Sequence, residues 1–136
     1  MVALLVLALV LALIVGAGCA LAQSAFARTA GNAGAAFAAA AVTLRFAHEG
    51  KLTAAYARAS FVNYRAELDG LDAQLPTQDG APDARTLRRL LDLARPALRA
   101  VDAPCLDTRV DAGCDWRGQV AAMQRASAAL LKAGGA

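Results

Sequence analysis

The sequence predicts an all-α protein: an N-terminal apolar signal or anchor helix, then a small bundle of three to four helices with one disulfide-closed loop. Three observations predict it. Apolar residues recur every three or four positions over 51–75, 84–101 and 116–133, the period of a helix with a buried side. No segment keeps the strict alternation of a strand. Hydrophobic residues reach 58% while aromatics stay at 5%, much of the excess being alanine. Alanine forms helices well and fills cores poorly, so the helices must pack closely.

Residues 2–22 form a continuous apolar run, about the length needed to cross a bilayer. Gly16 and Gly18 loosen it, and Ala20-Leu21-Ala22 before Gln23 carries small residues where a signal peptidase reads them. No Lys or Arg precedes the run. Cleavage after Ala22 is the first reading and a retained anchor the second. The third is lipidation of Cys19, since Ala17-Gly18-Cys19 matches the end of a lipobox although Gly16 stands where Leu belongs. All three export the remainder, to the periplasm or the outer face of the cytoplasmic membrane. The domain organisation is therefore 1–22 signal peptide or membrane anchor, 23–34 linker, and 35–136 helical domain.

Within the exported part, "QSAFARTAGNAG" at 23–34 reads as a linker or weak helix because Gly31, Asn32 and Gly34 cluster there. Residues 35–48 read as an alanine-rich helix stopped by Gly50; alanine is too weakly apolar to favour a second membrane span. The helix at 51–75 has two apolar stripes: Leu52, Ala55, Tyr56, Ala59, Val62 and Ala66, and nearly opposite them Phe61, Tyr64, Leu68, Leu71 and Leu75. Such a helix is expected to pack on two sides, as the central member of a bundle, or to keep the second stripe as an apolar partner face.

"PTQDGAPD" at 76–83 is a loop, with Asp83 placed to cap the next helix. Over 84–101, Leu87, Leu90, Leu91, Ala94, Leu98 and Val101 face the core. Arg85, Arg88, Arg89, Arg95 and Arg99 occupy the other side, relieved by Asp92, and Pro96 is expected to kink or restart the helix. The last helix begins near Trp116 with Asp115 as its cap, turns Trp116, Val120, Met123 and Leu130 inward, and ends in a frayed "AGGA".

Cys105 and Cys114 flank a short loop between the last two helices. In an oxidising envelope they form a structural disulfide, because the spacing suits neither a C-x-x-C redox pair nor a zinc site. Asp102, Asp107, Asp111 and Asp115 in that region read as caps and solvated charges, since the calcium-loop spacing is absent. His48, the single histidine, lies in "AHEG" rather than H-E-x-x-H and reads as a helix-end residue favoured by the dipole. No serine occupies a nucleophile elbow.

These patterns point away from an enzyme, a metal site or a cofactor. The net charge of +3 is too mild to imply nucleic acid. The expectation is a non-catalytic interaction or accessory subunit of a cell-envelope complex, with membrane contact through the N-terminal segment and an envelope protein as partner. The arginine side of 84–101 is the expected contact with an acidic partner or anionic lipid. The alternative is a helical module for a small apolar ligand or lipid, built on Phe61, Tyr64 and Trp116.

Overall fold

The computed structural model describes residues 25–74, 84–107 and 112–135. The segment 1–22, Cys19, Leu75, Asp83, Asp111 and the Arg85 side chain lie outside the described residues. Among those described there are four α-helices and no strand: α1 (Ala25–His48), α2 (Ala54–Gln74), α3 (Ala84–Asp102) and α4 (Trp116–Gly134). Each helix runs antiparallel to its neighbours, making an up-down-up-down bundle. The Thr43 and Tyr64 hydroxyls, 3.0 Å apart, tie α1 to α2. Arg65 faces Asp102 between α2 and α3, and Gln119 of α4 reaches the end of α3.

The closest pair is α1 with α4, and small residues are the reason. A β-carbon placed on Gly34 would come within 2.8 Å of the Leu131 side chain, and one on Gly134 within 2.9 Å of the Ala27 carbonyl. Here the structure departs from the sequence pattern. Residues 25–34 belong to α1, where the Gly31-Asn32-Gly34 cluster suggested a linker or weak helix. Gly34 costs helix propensity, yet it admits a neighbouring backbone that any side chain would hold off. Packing gain outweighs propensity.

Larger side chains fill the middle. Phe37 and Leu44 of α1, Phe61 of α2, Val101 of α3, and Met123 and Leu130 of α4 are essentially sealed from solvent. The inward residues predicted on α3 and α4 point as expected, with Leu90, Ala94, Val101, Val120, Met123 and Leu130 buried. α3 runs unbroken through Pro96, which lies on the exposed side. There the carbonyl that loses its donor can turn to water, which lowers the cost of a mid-helix proline.

α2 corrects a second expectation. It packs on one side, not two: Ala57, Phe61, Leu68 and Leu71 are buried, while Tyr56 and Val62 are 61% and 59% exposed. Ala55, Ala59 and Ala66 of the same outer stripe are exposed as well. Three alanines offer little area to bury, so the stripe with phenylalanine and two leucines takes the core.

The ends of α1 and α4 are closed by glycines at positive φ. Gly50 (φ 71°) follows α1. Gly135 (φ 88°) ends α4 in the left-handed conformation, its N–H directed at the Leu131 and Lys132 carbonyls. The expected frayed tail is thus an ordered cap as far as Gly135. Asp115 caps the other end of α4, accepting from the Gly118 N–H at 2.9 Å.

Candidate interaction surface

Because the leucines of α3 recur on one side, its arginines must share the other, and the fold leaves that side open. Arg88, Arg89, Arg95 and Arg99 are all exposed. Arg95 Nη2 lies 3.2 Å from Asp92 Oδ1, one turn away on the same helix. Arg88, Arg89 and Arg99 make no ion pair among the described residues. A solvated guanidinium strip steers acidic partners, and its planar donors suit bidentate carboxylate or phosphate contacts.

The strip has a neighbour that sequence reasoning missed. Between α3 and α4 runs a groove of about 420 Å³, lined by Pro96, Arg99, Ala100 and Ala103 on one side and by Gly118, Gln119, Ala122 and Arg125 on the other. Arg125 belongs to α4, 26 positions from Arg99, and only the antiparallel register brings both to one groove. No one-dimensional pattern carries that signal.

The second sequence candidate is corrected. Phe61, Leu68 and Leu71, proposed as a partner face, lie in the core, and half-buried Tyr64 packs against it. Phe61 and Tyr64 meet edge to face, centroids 5.8 Å apart. Phe61 and Tyr64 line different grooves: Tyr64 one of about 600 Å³ between α1 and α2, Phe61 one of about 360 Å³ beside Pro104 and Leu106. Trp116, the third aromatic of the ligand-module reading, stacks instead on His48.

Cys105 and Cys114 stand at disulfide-bonding distance, Cα atoms 5.9 Å apart. The loop they close is held from both sides. The Cys105 N–H donates to Gln119 Oε1 at 2.9 Å, and Gln119 Nε2 donates to the Ala103 carbonyl at 2.9 Å. His48 Nε2 donates to the Cys105 carbonyl, which fixes Nε2 as a protonated ring nitrogen. The Arg117 guanidinium sits 4.6 Å over the Trp116 ring.

Three aspartates of this region have structural work. Asp102 faces Arg65 at 3.8 Å, Asp107 faces Arg58 at 3.9 Å, and Asp115 caps α4. Among the described residues no three His, Cys, Asp or Glu side chains gather as a metal site, and no helix is long and apolar enough to cross a membrane. Arg65 Nε is buried without a hydrogen-bond partner, since 3.8 Å is too long for one. No family model, curated protein or solved structure matches the chain.

Proposed function

We propose that the protein is a small, exported, membrane-associated helical subunit that works by binding rather than by catalysis, as an accessory component of a cell-envelope complex. The observation that carries this reading is the open arginine strip of α3, three of whose members lack an ion pair among the described residues. The apolar run at 2–22 supports the envelope placement, and the clasped cysteine pair suits an oxidising compartment.

The test is the triple substitution of Arg88, Arg95 and Arg99 by Ser. Helical circular dichroism should be retained, because these side chains bury nothing. Co-purification with membranes or a partner should weaken, and the difference should be larger at low salt than at high. Unchanged association would reject the strip. Intact mass separates the three fates of the N-terminus: loss of 22 residues, no loss, or cleavage before Cys19 with added acyl mass.

A second reading, a module for a small apolar ligand or lipid, draws on the α1–α2 groove, whose volume of about 600 Å³ falls within the ligand-pocket range. Its apolar lining is Ala33, Ala35, Ala36 and Ala39 with Leu71 and Tyr64, beside polar Asn32 and Glu67. Enhancement of a polarity-sensitive dye, lost on Ala36→Phe, would favour it over the strip.

A further inference from the structure

We infer that the α3–α4 groove, rimmed by Arg99 and Arg125, seats an acidic α-helix of a partner protein. The inference rests on the binding reading above and adds the seat and the shape of what it holds.

The floor is built of small side chains. Ala100, Ala103 and Ala122 present single methyl groups, Gly118 presents none, and Pro96 a compact ring. Only Gln119 among the floor residues has a long side chain, and it is folded back onto Ala103 and Cys105. Small residues along two facing helices allow a third rod to settle between them, as the ridges-into-grooves rule requires. Large side chains stand at the rims, and both rims are guanidinium groups.

The charge balance selects the occupant. Arg99 and Arg125 are exposed and make no ion pair among the described residues. Asp115 is the groove's one carboxylate, and it is engaged in accepting from the Gly118 N–H. Its charge also favours the positive end of α4. Carboxylates on the two flanks of an incoming helix suit bidentate pairing with the guanidinium groups of the two rims.

A flat anionic membrane fits less well. It would rest on the ridge of α3, touching Arg88 and Arg95, and would leave the shallow groove between the helices unfilled. A helix is about 10–12 Å across with its side chains, and convex, which is the shape a groove between two helices complements.

The experiment uses the full chain in a neutral detergent and a labelled 21-residue Ala/Glu peptide, its glutamates along one helical face. Fluorescence anisotropy should show binding, and Arg125→Ser should weaken it at least tenfold. Ala103→Leu keeps every charge but raises the floor, and should weaken it similarly. Arg88→Ser with Arg95→Ser, which lie outside the groove, should weaken it by less than threefold. The same peptide composition broken by a central proline should bind poorly.

Equal binding of the proline peptide overturns the helical occupant. Binding that survives Arg125→Ser and Ala103→Leu but is lost with Arg88→Ser and Arg95→Ser overturns the groove while leaving the strip intact. No binding of the helical peptide, with the chain instead floating on anionic vesicles, also overturns it. The reverse pattern, loss only with the groove variants, upholds the groove and leaves Arg99 as the strip's contributing member.

Discussion

The imidazole of His48 lies parallel to the indole of Trp116, ring centroids 4.5 Å apart and planes 5° from each other. One residue ends α1 and the other begins α4, so the stack joins the two helices at the end of their long antiparallel contact. The same imidazole donates to the Cys105 carbonyl, which brings the disulfide loop into the joint. Replacing His48 by Phe should keep the stack and lose the hydrogen bond, at a cost of about 1 kcal/mol in urea unfolding. His48→Ala should cost more, and should shift the emission of Trp116, the single tryptophan. Equal stability of the two variants would remove the stack from the account.

The disulfide closes a loop of ten residues counting both cysteines. On the chain-entropy model that contributes about 2.5–3 kcal/mol. Cys105→Ser with Cys114→Ser should lower the unfolding free energy by that amount, and added reductant should do the same to the wild-type chain. A loss under 1 kcal/mol would mean that His48 and Gln119 hold the loop unaided.

The α1–α4 contact makes opposite forecasts for two glycines. Gly134→Ala forces a methyl group against the Ala27 carbonyl and the Gly31 backbone, atoms that cannot swing aside. It should destabilise by about 1–3 kcal/mol. Gly31→Ala meets nothing within 4 Å and sits inside a helix, so it should stabilise by about 0.5–1 kcal/mol. Thermal unfolding of both variants checks the pair, and the same sign for both would refute the close contact.

Asp115→Ala should cost about 1 kcal/mol, because the Gly118 N–H loses its acceptor in the first turn of α4. Asn at this position should recover most of the loss. Failure of Asn to do so would point to the charge rather than to the hydrogen bond.

Glu49 has its carboxyl held below the ordinary value of 4.5, chiefly by the hydrogen bond from Lys51, then by the positive charges of Lys51 and Arg45. A depressed acid contributes stability above its unfolded value, and that contribution fades as pH falls through the lower folded value. The group is exposed, so the effect on stability is small. Carbon-detected NMR titration should place Glu49 below the ordinary value of 4.5, and Lys51→Met should move it back toward that value. No movement would assign the shift to another cause.

Long periodic segments were legible in the sequence, and close approaches were not. α3 begins and ends within one residue of its leucine pattern because leucines and arginines divide its surface. The start of α4 was readable from Asp115-Trp116, a cap before an apolar run. The start of α1 was not: Gly34 looks like a breaker until Leu131, 97 positions away, is seen against it. For α2 the period was right and the partition wrong, since periodicity does not say which of two stripes carries enough area to claim the core. At the surface, the arginines of α3 were legible one by one, whereas the groove depends on Arg125 and on a register between two helices. The joining of His48 to Trp116 and Cys105 has no local signature at all.

α1 is 24 residues long, which at 1.5 Å per residue makes it a spacer of about 36 Å. Ala25 stands at one end of it, and His48 at the other holds the cysteine loop. The cysteine pair therefore lies at one tip of the domain, a full helix length from Ala25. The α3–α4 groove also starts at that tip, with Ala103 and Gly118.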